Sequence, residues 1–227
     1  MAMAQPVVPP TQEPPMETSL THVTVVLDRT GSMDSIRDDV IGGFNAFLAE
    51  QQALPGRATL SLVQFDSQDP FEVLFEHLPM ALVRPLTRET FVPRASTPLY
   101  DALGRAIVAL DAQLLKLAGA APARVVVAVV TDGQENASHE FTRERVRQLI
   151  AEKKQAGWHF LFLSADESAF ADAGAMGVAM ESRMAFDADA AGTKAAFSAK
   201  SRMVRSLRAG EAAPGFTDDE RRSGKSG

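Results

Sequence analysis

The sequence predicts an α/β domain with a doubly wound, mostly parallel central sheet, one antiparallel edge strand and helices on both faces. Three observations predict it. Runs of strand period alternate with runs of helical period along most of the chain, the pattern of strand–helix–strand units. The run RVVVAVVTD, Arg124 to Asp132, is almost continuously β-branched, as a strand buried on both faces requires. RATLSLVQFD alternates and is followed, after the turn SQDP, by FEVLFEHL, which reads as a hairpin and sets one strand against the others at an edge.

The elements follow in order. A first strand runs from about Val23 to Leu27. A helix then carries Ile36, Val40, Phe44, Phe47 and Leu48 on one face at spacings of three and four. Gly42 and Gly43 weaken that helix by propensity, so close packing of helix on sheet is expected there. After the hairpin, STPLYDALGRAIVALDAQLLKLA supplies a second helix, with Thr97 in the cap position and Pro98 in the first turn. FTRERVRQLIAEKKQAG is an amphipathic helix closing at Gly157, and WHFLFLSAD is a further buried strand. A helix around Glu167 to Met176, a short strand near Met184 to Phe186 and a last helix around Ala190 to Leu207 complete the pattern. There is no internal repeat.

With 227 residues, 45% of them hydrophobic, the chain is long enough for one substantial core. Its net charge of −6 offers no overall basic footprint, which disfavours nucleic acid. Without cysteine it has no disulfide, zinc–thiolate site or cysteine nucleophile, and it is compatible with a reducing compartment. Residues 1–19, MAMAQPVVPPTQEPPMETS, contain no Lys or Arg and are interrupted by prolines, so they read as a flexible leader and not as a signal peptide. No segment reaches the roughly 18 to 20 apolar residues of a membrane helix. The expected organisation is a leader over 1–19, one domain over 20–210 and a polar, flexible tail over 211–227, in a cytoplasmic protein. Gly224-Lys225-Ser226 ends like a phosphate-binding loop, but Asp219 stands where that loop needs glycine.

In a doubly wound sheet, loops at the carboxyl ends of the parallel strands converge on one crevice. Three polar clusters fall in such loops: Asp28-Arg29-Thr30-Gly31-Ser32, Ser96-Thr97, and Thr131-Asp132-Gly133-Gln134-Glu135-Asn136. Carboxylates and hydroxyls without His or Cys form a hard, oxygen-only set, suited to Mg²⁺, Ca²⁺ or Mn²⁺. Positions 28, 30 and 32 face one way if the chain leaves the strand extended, and Gly31 is read as the residue that lets the loop turn sharply.

Asp28-x-Thr30-x-Ser32, the separate Thr97 of STPLYDA and Asp132 of TDGQEN resemble the metal-ion-dependent adhesion site (MIDAS) of von Willebrand factor A (vWA) domains. The resemblance runs from about residue 20 to about 210, with the three parts in the family's order, and is to members of the cytoplasmic bacterial type. It implies a Rossmann-like vWA fold and a divalent ion, Mg²⁺ or else Mn²⁺ or Ca²⁺. Thr30 and Ser32 would coordinate through their hydroxyls, and Thr97 directly or through water. Asp28 and Asp132 would bind directly or hold bound waters. The middle position is usually serine, and Thr30 keeps the hydroxyl while adding a methyl. The resemblance further implies a non-enzymatic interaction module whose partner supplies an acidic side chain to the ion, such as an AAA+ ATPase or a kinase or phosphatase module of a stress response.

Two other readings stand beside this one. Singly, Asp28 and Thr30 suit Asx- or Ser/Thr-turns, and Ser32 and Thr97 suit helix caps. Glu135 and Asn136 read either as tuning groups or as solvated loop polarity. The alternative function is a Mg²⁺-dependent hydrolase such as a phosphoesterase, since oxygen-ligated sites on α/β sheets also perform that chemistry. Against it, the sequence has no Asp-x-Asp motif and no Gly-x-Ser-x-Gly elbow. His22, His77, His139 and His159 are scattered, and Trp158 reads as core.

Overall fold

The computed structural model describes residues 19–117, 121–212 and 214–225. Except for Ser19, the expected leader lies outside the described residues. Six strands form one sheet in the order β3-β2-β1-β4-β5-β6. β1 (Thr21–Asp28) is central and pairs in parallel with β2 (Ala58–Phe65) and β4 (Arg124–Thr131). β5 (Trp158–Ser164) and the short β6 (Arg183–Ala185) extend the parallel side. β3 (Glu72–Pro79) runs antiparallel to β2 at the edge, with register irregularities around Leu62.

Helices cover both faces. α1 (Arg37–Ala53) and α5 (Ala190–Arg208) bury Phe44, Phe47 and Phe197 with Val23, Val25 and Leu27 of β1. α2 (Leu99–Lys116), α3 (Arg143–Gln155) and α4 (Glu167–Ala175) cover the other face with Val26 of β1. β4 contributes Val126, Ala128 and Val130 to the first layer and Val125, Val127 and Val129 to the second, which is why its sequence is apolar without alternation. Among the described residues no helix is long and apolar enough to cross a membrane.

The starts of α3, α4 and α5 obey local capping rules: Thr142 accepts from Arg145 N, Asp166 from Ala169 N and Asp189 from Gly192 N. α2 does not. Its cap residue is Pro98, and Thr97, expected to cap, makes no such bond. The expected polar tail also differs. Residues 218–223 form a short helix, α6 (Asp218–Ser223), held by a capping box between Thr217 and Glu220 and by Arg202 of α5, which binds Glu220. Gly224 O accepts from Asp187 N at 2.7 Å, so this segment is tied to the end of β6.

The paired glycines of α1 separate on inspection. A Cβ on Gly43 would lie 2.5 Å from Phe197 Cδ2, so the close approach is to α5 and not to the sheet. A Cβ on Gly42 meets nothing within 4 Å. Gly42→Ala should therefore stabilise the domain by up to about 1 kcal/mol through helix propensity. Gly43→Ala should destabilise it by about 1 to 3 kcal/mol through overpacking. Urea unfolding of both variants checks the opposite signs.

His22 is buried in β1, with Nδ1 2.8 Å from Thr59 Oγ1, Nε2 3.0 Å from Thr24 Oγ1 and its ring stacked 4.0 Å from that of His77. Burial, with His77 adding to it, pushes its pKa from 6.5 down to about 3. The unfolded chain takes up this proton near pH 6.5 and the folded chain only near pH 3, so stability falls as pH drops through that window. His22→Gln should make stability between those limits less steep by up to about 1.4 kcal/mol per pH unit, measured by urea unfolding across the range.

Candidate metal centre

The site is built where β1 and β4 end side by side. Leu27 stands beside Val130 in the parallel register, so the next residues, Asp28 and Thr131, are neighbours. Asp28 is fully buried; Oδ1 accepts from Thr30 N at 2.7 Å and Oδ2 from Thr131 Oγ1 at 2.5 Å. The first of these bonds is an Asx-turn, which reverses the chain directly into a 3-10 turn over Gly31–Ile36. Gly31 does not adopt the left-handed backbone, so that conformation is not what the turn draws from it; its N–H donates to Ala95 O at 3.1 Å.

Thr30 occupies the cap position of the 3-10 turn but makes no side-chain cap bond. Its Oγ1 lies 3.3 Å from Ser32 Oγ, and Ser32 Oγ donates to Asp132 Oδ1 at 2.7 Å. Thr97, nearly buried, donates N–H to Asn136 Oδ1 at 2.9 Å and accepts from Asn136 N–H at 3.0 Å. Thr97 Oγ1 and Ser32 Oγ both face Gly133: a Cβ there would sit 3.3 Å from the first and 3.6 Å from the second. Thr30, Ser32 and Asp132 thus form a contact chain, Thr97 meets it across Gly133, and Asp28 lies behind it.

Electrostatics set this cluster apart. Burial pushes the Asp28 carboxyl up to about 7 against the pull of its Thr131 and Thr30 hydrogen bonds, and Asp132 adds to the rise. Asp132 is also raised, by burial and by the neighbouring Asp166. Among the described residues neither acid forms an ion pair with Lys, Arg or His. Arg29, adjacent in sequence, points away and gives its Nε to Asp66 at 2.7 Å. Two carboxylates and three hydroxyls therefore converge without a positive charge, and a hard cation fits that donor set. No group of three or more His, Asp or Glu suited to a metal occurs among the described residues, so hydroxyls are essential to any such site here.

Glu135 and Asn136 are neither free nor merely solvated. Asn136 brackets Thr97 as described. Glu135 Oε1 accepts from Ala137 N at 2.9 Å and Ser138 N at 2.7 Å, while Oε2 accepts from Ser138 Oγ at 2.7 Å and Tyr100 N at 3.0 Å. Ser138 Oγ in turn accepts from Asp101 N at 3.1 Å. The first amides of α2 are thus capped from the loop after β4, which leaves the Thr97 hydroxyl free to face the site. His139 is an exposed loop residue.

No protein-family model and no curated protein matches the chain. Solved structures do. A von Willebrand factor type A protein from Catenulispora acidiphila matches with TM-score 0.56 at 14% identity, over 82% of this chain and 42% of its own. The fold is von Willebrand factor A-like. The pilus adhesin SpaC from Lactobacillus rhamnosus GG matches with TM-score 0.56 at 13% identity, over 81% of this chain and 30% of its own. Manganese-loaded TRAP protein from Plasmodium vivax matches with TM-score 0.50 at 14% identity, over 75% of this chain and 69% of its own. The chain thus spans less than half the length of the first two, and at these identities the likeness concerns the fold.

Glu135→Ala should remove one acceptor shared by four donors and cost about 2 kcal/mol, the upper range for a helix cap. Chemical unfolding reads this directly. A loss below about 0.5 kcal/mol would mean that water replaces the carboxylate.

Proposed function

We propose that this protein is a divalent-cation-dependent protein-interaction module, without catalytic activity, that recruits a partner through an acidic side chain. The observation that carries the reading is the convergence of Thr30, Ser32, Thr97 and Asp132 from three separate loops, with Asp28 buried behind them and, among the described residues, no cation paired to either acid. Thr30 and Ser32 would hold the ion through their hydroxyls, Thr97 directly or through water, and Asp28 and Asp132 directly or by fixing waters. A bound ion would supply an open coordination position for a carboxylate from the partner. Mg²⁺ suits the oxygen donors, as do Mn²⁺ and Ca²⁺. Manganese in the Plasmodium TRAP structure supports a divalent ion on this fold.

The partner class remains the one that the sequence resemblance implies, an AAA+ ATPase or a stress-response kinase or phosphatase module in the bacterial cytoplasm. Each of these residues lies on a loop or strand end above a sheet packed on both faces, which suits recognition by a fixed surface.

Thermal unfolding of wild type and Asp132→Ala in Mg²⁺, Mn²⁺, Ca²⁺ and EDTA tests the reading. A ligand bound only by the folded state stabilises it by about 2.7 kcal/mol at one hundred times its dissociation constant. Wild type should rise in Tm with at least one of the ions and Asp132→Ala should not. An equal response of both proteins, or of neither, overturns the assignment.

A further inference from the structure

One carboxylate outside the donor set touches the support of two donor loops. Asp66, the first residue after β2, is fully buried. Its Oδ2 accepts from Arg29 Nε at 2.7 Å and Arg94 Nε at 2.9 Å, and its Oδ1 accepts from Gln68 N at 2.7 Å and Asp69 N at 3.0 Å. Arg29 follows Asp28 directly, and Arg94 lies three residues before Thr97. The backbone repeats the link: Arg94 N donates to Arg29 O at 2.9 Å and Gly31 N to Ala95 O at 3.1 Å. The turn begun by Asp66 holds the same loop from the other side, with Ser67 N donating to Ser96 O at 2.9 Å and Ser96 N to Ser67 Oγ at 3.1 Å. Between these brackets Ala95 takes a left-handed backbone, φ 59°, unusual for a residue with a Cβ.

We infer that Asp66 is a positioning residue for the cation site, clasping the Thr97 loop to the Thr30–Ser32 loop through Arg94 and Arg29 so that their hydroxyls are spaced before an ion arrives. The inference rests on the cation-site reading above. No direct bond draws the hydroxyls of Thr97 and Ser32 together, since among the described residues Thr97 Oγ1 has no hydrogen-bond partner and the backbone of Gly133 lies between them. The spacing is therefore set by the backbone of the loops, which Asn136 holds to the loop after β4 and the Asp66 clasp holds to the Thr30–Ser32 turn. A charge-assisted pair at a buried carboxylate is directional enough to impose it.

Arg94 is the strut to remove, because its side chain is 41% exposed and its loss leaves the buried Arg29–Asp66 pair intact. Mn²⁺ affinity is measured by electron paramagnetic resonance titration of the full chain for wild type, Arg94→Met, Arg94→Lys and Arg202→Met. The last breaks the α5–α6 ion pair away from the site and controls for general destabilisation. Amide hydrogen exchange at Gly31 is followed in the same proteins without metal. Arg94→Met should bind Mn²⁺ about tenfold more weakly and exchange faster at Gly31, as expected for losing one charge-assisted hydrogen bond. Arg94→Lys should recover part of both, and Arg202→Met should match wild type in both. Wild-type Mn²⁺ affinity in Arg94→Met, or an equal loss in Arg202→Met, removes the positioning role while leaving the cation site in place. Failure of wild type itself to bind Mn²⁺ removes the cation-site reading and this inference with it.

Discussion

The bond from Thr131 Oγ1 to Asp28 Oδ2 ties the ends of the two central strands, and the site takes its shape from that tie. Parallel strands must end at the same edge of a sheet, so their exit loops crowd together. Asp28 is the residue on which the crowding centres: it is fully buried, that burial pushes its carboxyl up to about 7, and its donors among the described residues, the Thr30 N–H and the Thr131 hydroxyl, are neutral. One of its oxygens is spent on β4 and the other on Thr30 N–H. The second contact bends the chain, and the bend carries Thr30 and Ser32 back over the strand end toward Asp132. Register, burial and one Asx-turn together place four residues from two strands.

The fold was legible because its signals are periodic. The unbroken apolar run of β4, the alternation of β2 and β3 and the spacing of α1 each follow from how many faces an element buries, and the solved relatives share that architecture. The polar clusters were legible as strand-end loops for the same reason. What escaped the sequence depends on partners far along the chain. Thr97 looks like a cap because it precedes a helix, but the amides it would cap are taken by Glu135 and Ser138, 35 and 37 residues from their donors. Gly42 and Gly43 are adjacent and chemically identical, and only the position of Phe197 distinguishes them. Asp66 reads as the end of a strand until Arg29 and Arg94 meet on it. The Thr217–Glu220 capping box, by contrast, was a local signal in TDDE that a polar composition obscured.

Identities of 13 to 14% to the solved structures sit comfortably with a shared architecture. A core position asks for apolar volume and the right face, and many residues satisfy that. A donor position asks for a particular atom at a particular distance, and few do. Replacing Thr30 by serine would preserve its hydroxyl, whereas valine, close in size and shape, would remove it. Fold and site are therefore constrained by different rules on the same chain, and an argument for function has to be made from the oxygens.

The support of the site also draws on both sides of α1, the helix that continues from the Ser32 turn. On the α5 side, Lys200 is completely buried with its Nζ 4.1 Å from the ring centroids of both Phe47 and Phe197, and among the described residues the amine has no hydrogen-bond partner. Burial drives its pKa well below the usual value, which favours the neutral amine. A cation–π contact contributes about 2 kcal/mol when desolvated, less than the several kcal/mol that burying an unpaired charge costs, so the packing around Lys200 is apolar. Nearer the end of α1, Gln51 Nε2 donates to Ser201 O and Oγ of α5, each at 3.1 Å. On the opposite side polar contacts run along the helix. Arg37 Nε donates to Phe91 O at 3.0 Å, Asn45 exchanges two bonds with Leu86 at 2.7 and 2.9 Å, and Gln52 Nε2 donates to Met80 O at 3.0 Å and Val83 O at 3.1 Å. These bonds run the length of α1 and fasten it to the segment that leads into Arg94 and Thr97. The two hydroxyl loops are consequently joined not only around Asp66 but also through the segment fastened along α1.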